Sequence, residues 1–457
     1  MSGAERLRLA VRMSVPSIVA QISAVVMNYI DASMVGSLGA SAAASIGLVS
    51  TSTWLFGGLA SSGAVGFYVQ AAHLLGAGER SGARHILRQS LVACLIFSML
   101  LMAAGVAVSF PLPRWLGGTP SINPGASLYF LIFSLSAPAL MFTFLLSGML
   151  RCSGKMTAAG SIGVAECVLD VIFNFFLIFP TRSVSLGGFE ITVPGAGMGV
   201  AGAALGTSLA MIVACVAMLA LFMRRGEELS LRGGGSFKPR LATVRRALRI
   251  ATPMGLERVC TNGAQITLTT IVSPLGAAAI AANAFAIVAE GLCYMPGYGI
   301  SDAATALVGQ CKGAAKWALA RSFAWLTVGM GMAVMTVMGF VMYAAAPAMI
   351  GFMSPDADIV ALGVGALRIE AWAEPMFAAA IVVYGVFVGL GDTLVPALMN
   401  LGSIWIVRVT LAAILAPVMG LQGVWLAMCI ELTFRGIIFL ARLAIRTRPG
   451  RSRVCGR

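Results

Sequence analysis

Three acidic side chains interrupt long apolar segments in the first half of the chain. Asp31 lies within MNYIDASMVGSLG, and Glu166 and Asp170 lie within GVAECVLDVIFNFF. The i, i+4 spacing of Glu166 and Asp170 places both carboxylates on one face of a helix. An ionisable residue in an apolar segment is costly unless it faces a cavity or a partner. Carboxylates that share a low-dielectric pocket cannot all stay ionised, so such a cluster would bind a proton or a small cation.

The elements that carry these acids are typical of a membrane protein. The chain is 59% hydrophobic and 11% charged, with a mean hydropathy of +0.93, whereas a soluble domain is about 45–50% apolar and about 25% charged. Apolar runs of roughly 20 residues, enough to cross a hydrocarbon layer of about 30 Å, recur along the chain. We therefore predict an all-α membrane protein with about twelve transmembrane helices. They are placed near residues 13–36, 45–73, 86–110, 127–149, 157–180, 198–223, 247–273, 280–308, 319–346, 360–389, 394–417 and 421–443.

The second half of the chain repeats the first. RMSVP at Arg12–Pro16 matches RIATP at Arg249–Pro253, and Gly154 matches Gly391, each pair lying 237 positions apart. GVAG at 199–202 matches GLQG at 420–423 at a shorter offset, which indicates an insertion around residues 181–197. Six predicted helices per copy make the two copies parallel, as in transporters whose lobes move about a shared site. The predicted domains are an N-lobe at 1–225 with helices 1–6, a cytoplasmic linker at 226–245, and a C-lobe at 246–457 with helices 7–12 and a basic tail.

The repeat does not include the acids. At the same offset, Leu268, Ser403 and Val407 occupy the positions that correspond to Asp31, Glu166 and Asp170. Packing that both halves share cannot explain charges that only one half carries. The second half has acids of its own, of which Glu257, Glu290 and Glu374 are possible binding residues. Glu431 stands four residues before Arg435, which favours a structural ion pair.

The basic residues predict the orientation. Most of the 31 Lys and Arg residues fall at the two ends of the chain, in the central linker, and in alternate loops, whereas the opposite loops contain Arg114 and Arg182. By the positive-inside rule, both termini are predicted to be cytoplasmic. Basic loops that face anionic inner-leaflet lipid also account for the net charge of +14 without a nucleic-acid partner.

Several segments resemble one known family, the multidrug and toxic compound extrusion (MATE) transporters. They are D-x-x-x-V-G-x-L-G at Asp31–Gly39, GVAGAALGT at 199–207, the tract at 275–314, GLGDTLVP at 389–396, and the W-x-x-R motif at Trp405–Arg408. The resemblance covers nearly the whole chain. It implies two six-helix lobes around a V-shaped cavity, and export of organic cations driven by a gradient of H⁺ or Na⁺.

The resemblance also implies a cation site in the first lobe. The family's acids in helices 1 and 5 fall on Asp31 and Asp170, and its threonine in helix 6 falls on Thr207. A position commonly occupied by Asn is Glu166 here, which adds a carboxylate. Asn174 and Thr207 could complete an oxygen shell for Na⁺ at Asp31, Asp170 and Thr207, and no other metal ion is expected. A proton would need only one carboxyl group.

A second-lobe site is less clearly implied. Some members of the family use an acid in helix 7 and another in helix 10. These positions fall on Thr261 and Phe377 here, with Glu257 and Glu374 nearby.

The prediction is therefore a cation-coupled antiporter, and not an enzyme. It would export small organic, often cationic, compounds by alternating access, as a multi-pass monomer in the cytoplasmic (inner) membrane, without a cofactor other than H⁺ or Na⁺ as the coupling ion. Two alternatives remain open. A flippase of lipid-linked oligosaccharide or another lipid on a similar scaffold would need a lumen lined with Arg. A membrane-embedded transferase would need paired acid motifs that hold Mg²⁺ and a diphosphate.

Overall fold

The computed structural model describes residues 2–186, 189–224, 229–232 and 235–448. The predicted basic tail beyond 448, and residues 225–228 and 233–234 around the predicted linker, lie outside this part of the chain. The helices are α1 (Gly3–Gly36), α2 (Ala40–Gly76), α3 (Arg80–Val108), α4 (Leu112–Trp115), α5 (Asn123–Leu135), α6 (Ala137–Cys152), α7 (Met156–Ile178), α8 (Gly199–Phe222), α9 (Leu241–Val272), α10 (Ala277–Gly313), α11 (Trp317–Met353), α12 (Ala357–Glu370), α13 (Glu374–Gly389), α14 (Leu394–Gly402), α15 (Thr410–Met419) and α16 (Leu421–Arg446). A 3₁₀ turn spans Ser273–Leu275, and a π-helical segment spans Ser403–Val409.

The helices confirm the predicted membrane fold. By length and composition, nine spans among the described residues could cross a membrane, or up to eleven if each of two bent helix pairs counts as one. Helix α9 stands at the position of the predicted span 247–273, but it is not among these spans. Its first half carries Arg245, Arg246 and Arg249, and Glu257 and Arg258 follow, so the charges lower its hydropathy.

Two prolines of the predicted helices lie at breaks. Helices α5 and α6 meet at an angle of 47° next to Pro138, and α12 and α13 meet at 60° next to Pro375. Proline lacks an N–H group and clashes with the preceding turn, so a helix bends or ends there. The two prolines are repeat equivalents, and both halves therefore bend at the same point. Pro16, Pro253 and Pro296 lie inside continuous helices.

The turns between helices show the repeat in the backbone. Gly39 and Gly276 have φ values of +111° and +97°, and these residues are equivalent at the offset of 237. Gly78 has φ +79°, and its equivalent is Ala315, a non-glycine residue with φ +56°. A left-handed conformation costs an L-residue roughly 1–2 kcal/mol. The second half therefore keeps the turn geometry although it has lost the glycine.

The insertion in the first half forms a β-hairpin, which the sequence did not predict. Strand β1 (Pro180–Leu186) pairs antiparallel with β2 (Phe189–Ala196), with an irregularity between Pro180 and Arg182. The Arg182 guanidinium lies 4.6 Å and 4.0 Å from the ring centroids of Phe175 and Phe179. These contacts connect the hairpin to the end of α7.

The chain divides into two compact units. One comprises Ser23–Ala71 and Arg80–Ala251, and the other comprises Met1–Ile22, Ala72–Glu79 and Thr252–Arg457. The second unit has a continuous apolar core that includes Met335, Phe377 and Trp425. In the first unit, Val35, Ile178 and Ala203 bring α1, α7 and α8 into contact close to the predicted acids. The lobe boundaries at 225 and 245 stay a prediction.

Candidate cation site

Three helices of the first unit carry the predicted site residues. Asp31 lies near the carboxyl end of α1, and Thr207 lies on α8. Helix α7 carries Glu166, Asp170 and Asn174 at four-residue intervals, so the three side chains form one stripe along its surface. Asp170 and Asn174 are buried, with exposed fractions of 1% and 0%, and Asp31 is half-buried.

Asn174 connects the two aspartates. Its amide nitrogen donates a hydrogen bond to Asp31 Oδ1 at 2.9 Å and another to Asp170 Oδ2 at 3.2 Å. The charge of Asp31 also acts on Asp170. The structure thus brings together the acids of predicted helices 1 and 5.

The close packing of α8 on α7 depends on two glycines. A Cβ atom on Gly206 would lie 2.1 Å from Asn174 Oδ1, and a Cβ atom on Gly202 would lie 2.5 Å from the Leu177 carbonyl oxygen. Gly202 and Gly206 are four residues apart on one helix face, a spacing of small residues that permits close helix approach in membranes. Gly206 therefore leaves the space that the bridging amide occupies.

Thr207 lies at the edge of the pair. Its hydroxyl donates to the Ala203 carbonyl oxygen at 3.1 Å and lies within reach of the Asp170 carboxylate. Because the proton is used within α8, the hydroxyl oxygen has a lone pair left for a cation or a proton donor. The charges of both aspartates also act on Tyr129, which sequence reasoning missed because an aromatic residue in an apolar helix gives no distinct signal.

Glu166 lies one helical turn from the pair. It is half-buried, and its charge acts on Asp170 and on Cys215 of α8. No hydrogen bond to Glu166 is seen in the part of the chain that the structure describes. Within the same residues, no group of three or more His, Cys, Asp or Glu side chains has the arrangement of a metal site. Two of the three predicted carboxylates therefore share the Asn174 amide, and the third, Glu166, acts on Asp170 only through its charge.

The group formed by Asp31, Asp170 and Asn174 contains two buried oxygens that lack a hydrogen-bond partner among the described residues. Asp170 Oδ1 and Asn174 Oδ1 have no hydrogen-bond partner among the described residues. A buried polar atom without a partner costs roughly 1–3 kcal/mol. A proton or a cation bound beside these oxygens would remove part of that cost.

In the second unit, Glu431 has the structural role that its spacing predicted. Arg435 donates to both carboxylate oxygens at 2.8 Å, and the Ser403 hydroxyl donates to Oε1. Ser403 begins the π-helical segment, which places its hydroxyl toward α16. Glu431 is fully buried, and its charge is compensated by this bidentate pair.

Glu257 has two hydrogen-bond donors that sequence reasoning missed. The Tyr384 hydroxyl and the Asn400 amide each donate to its carboxylate at 2.6 Å. Asn400 and Glu257 are 143 residues apart, as are Asn174 and Asp31. When the repeat offset of 237 is subtracted, Glu257 and Asn400 stand about three helical turns before Asp31 and Asn174. Both units therefore have a contact between an acid and an amide of equivalent helices, α1 and α7 in one unit and α9 and α14 in the other. The two contacts lie at different positions along these helices.

Glu290 and Glu374 act electrostatically on a third acid, Glu370, which was not among the predicted site residues. All three are buried, and the charge of Glu290 acts on both Glu370 and Glu374. The carboxylate oxygens of Glu370 and Glu374 have no hydrogen-bond partner among the described residues. The charge of Arg408 acts on Glu290 and Glu370. Arg368, two positions before Glu370 in the sequence, donates to the Tyr343 carbonyl oxygen at 3.4 Å.

Comparison with known proteins places this geometry in a family. The MatE family model matches residues 16–176 and again 253–414, so its two copies begin 237 positions apart, the repeat offset. A protein of Deinococcus radiodurans described as probable multidrug resistance protein NorM is 26% identical over 99% of this chain and 98% of its own length. A protein of Pseudomonas aeruginosa with the same description is 30% identical over 92% of this chain and 85% of its own length.

Solved structures show the same fold. A structure described as the outward-facing conformation of a multidrug resistance MATE family transporter superposes with a TM-score of 0.88 at 20% identity, covering 100% of this chain and 99% of its own. A structure of a point mutant of the Vibrio cholerae MATE transporter VcmN superposes with a TM-score of 0.88 at 16% identity, with 98% of each chain covered. Two family-model matches over most of the chain, apolar spans and a shared fold lead to one conclusion: the chain belongs to the MatE family of membrane transporters, which are not enzymes.

Proposed function

We propose that this transporter exports small organic cations across the cytoplasmic membrane in exchange for H⁺, which binds at Asp31 and Asp170. The observation that carries the proposal is the buried Asn174 amide, which contacts both carboxylates. The descriptions of two relatives as probable multidrug resistance proteins support drug-like substrates. We propose a monomer, since each unit contains its own acid clusters within one chain.

The acid pair can couple two transport steps because its charge changes. Without a bound ion the pair has up to two negative charges in a buried site, which attract an organic cation in the pathway. With a proton bound, that attraction weakens and the substrate leaves. Coupling of this kind is reciprocal, so substrate binding also favours release of the proton.

The position of the Asn174 amide favours H⁺ over Na⁺. Its NH₂ group donates to both carboxylates, so a positively polarised donor lies where Na⁺ would need an oxygen ligand. Glu166 adds a third carboxylate nearby. Each carboxylate can be neutralised by a proton of its own, whereas one Na⁺ would need several oxygen ligands around it. Two like charges about 4 Å apart repel by roughly 4 kcal/mol at an effective dielectric constant of about 20. Protonation of one carboxyl group removes that repulsion without an oxygen cage.

Efflux from proteoliposomes tests the coupling ion. An imposed proton gradient in sodium-free buffer is expected to drive substrate export at full rate, and a sodium gradient at constant pH is expected to drive none. Glu166→Asn should change the dependence of efflux on pH, because it removes a charge that acts on Asp170. Loss of efflux in sodium-free buffer would refute H⁺ coupling, and an unchanged pH profile in Glu166→Asn would place this residue outside the site.

The second-lobe acids support a further proposal, a second proton site at Glu290 and Glu374. Their burial and the unpartnered oxygens of Glu370 and Glu374 support it. Glu257 is a weaker candidate, since both of its oxygens already accept hydrogen bonds.

The proposed topology places both termini and the linker in the cytoplasm, as the distribution of basic residues predicts. Ser236 and Pro355 are both exposed and lie on opposite sides in this topology. In a background that lacks the native cysteines, Pro355→Cys should react with a membrane-impermeant thiol reagent in intact cells, and Ser236→Cys should react only after the membrane is permeabilised. Labelling of Ser236→Cys in intact cells would contradict the topology.

A further inference from the structure

A basic cavity lies where the start of α1 meets the start of α11. It has a volume of about 390 Å³ and is lined by Gly3, Arg6, Ala318, Arg321, Ser322, Trp325 and Leu326. All of these residues belong to the same compact unit. Ligand cavities in proteins range from about 300 to 1,000 Å³, so this one can hold a small polar group.

The lining is positively charged and held in place. Arg6 donates to the Ser322 hydroxyl at 2.5 Å, which fixes its guanidinium at the cavity wall, and Arg321 is exposed. The lining contains no acidic residue. The acid nearest in sequence, Glu5, accepts a hydrogen bond from the Ser2 backbone at 2.8 Å and so caps α1.

The amino-terminal end of α11 adds to the positive potential of the cavity. The helix begins at Trp317 without a side-chain cap, and Ala318 of its first turn lines the cavity. The positive end of the helix dipole therefore faces the same space as the two arginines. Arginine is well suited to bind phosphate because its planar fork donates two parallel hydrogen bonds.

Trp325 indicates that the cavity lies at a membrane surface. Its indole N–H donates to the Thr447 hydroxyl at 3.2 Å, and 38% of the side chain is exposed beside Leu326. An exposed Trp with one polar end is typical of the lipid–water interface. In the proposed topology, this is the cytoplasmic interface, where anionic headgroups are found.

We propose that this cavity binds the phosphate group of an anionic phospholipid of the cytoplasmic leaflet. Arg6 and Arg321 would contact the phosphate, and Trp325 and Leu326 would lie against the glycerol and the start of the acyl chains. The lipid would connect α1 to α11 at their cytoplasmic ends.

Native mass spectrometry of the purified full chain with phosphatidylglycerol tests the site. The wild-type protein is expected to hold one lipid more tightly than the rest, and Arg6→Gln/Arg321→Gln is expected to weaken that binding about tenfold or more. Arg321→Gln alone changes an exposed residue, and it should also weaken the binding of this lipid. Arg8→Gln removes an exposed arginine of the same helix that does not line the cavity, and it should bind as the wild type does.

Three results would overturn the site. One is equal binding by wild type and the double variant. Another is an equal loss in Arg8→Gln, which would mean general charge attraction. The third is displacement of the lipid by glycerol phosphate at the concentration at which the lipid itself binds, which would mean a site for a soluble phosphate ester. The readout is independent of efflux, so failure of the proposed coupling would leave it unchanged.

Discussion

Replacing Asp170 by Asn is expected to reduce gradient-driven efflux to the rate of protein-free liposomes, and Asp31→Asn is expected to do the same. Each variant keeps the side-chain volume but removes a carboxylate that accepts a hydrogen bond from Asn174. With one aspartate replaced, the site loses the repulsion between Asp31 and Asp170 that taking up a proton relieves. Efflux of a fluorescent cation from proteoliposomes measures the effect.

Two controls separate this loss from misfolding. Asp358→Asn, at an exposed residue in the first turn of α12, should transport at the wild-type rate. The two site variants should insert into the membrane and elute as the wild type does, since Asn can still form hydrogen bonds. Export at the wild-type rate by either site variant would show that the first-lobe pair does not couple transport.

Gly206→Ala is expected to abolish efflux although residue 206 bears no charge. The added methyl group would lie 2.1 Å from Asn174 Oδ1 and 3.0 Å from its backbone nitrogen. Asn174 must then move away from the two aspartates, which breaks both hydrogen bonds. Overpacking of a core costs about 1–3 kcal/mol, so the unfolding temperature in detergent should fall as well.

Gly47→Ala is the matched control. Gly47 lies in a helix of the same unit, and a Cβ atom there would meet nothing within 4 Å. It should keep efflux and be as stable as the wild type or slightly more so, since Ala is the better helix former. Normal efflux in Gly206→Ala would contradict the role given to the Asn174 bridge.

Much of the fold could be predicted because its signals are local. Apolar runs predict the helices, and the 237-residue offset predicts the repeated half. The hairpin at Pro180–Ala196 was missed because its residues lie between two strong helical segments and were interpreted only as an insertion.

The site could be predicted only in part. An acid in an apolar helix is conspicuous, so Asp31 and Asp170 were found from the sequence. Which side chains meet depends on helix packing, and the sequence does not give it. Glu370 was therefore missed beside Glu290 and Glu374, and so were Tyr384 and Asn400 beside Glu257. The close packing of Gly206 against the Asn174 side chain also becomes visible only in three dimensions.

The central claim is that the Asp31–Asn174–Asp170 group releases a proton when substrate binds. The most direct test is to add an organic cation substrate to purified protein in weakly buffered detergent solution and to follow the pH. The wild-type protein should release protons in proportion to the substrate bound, while Asp31→Asn and Asp170→Asn should release few or none and Asp358→Asn should match the wild type. Equal proton release by wild type and Asp170→Asn would contradict the account.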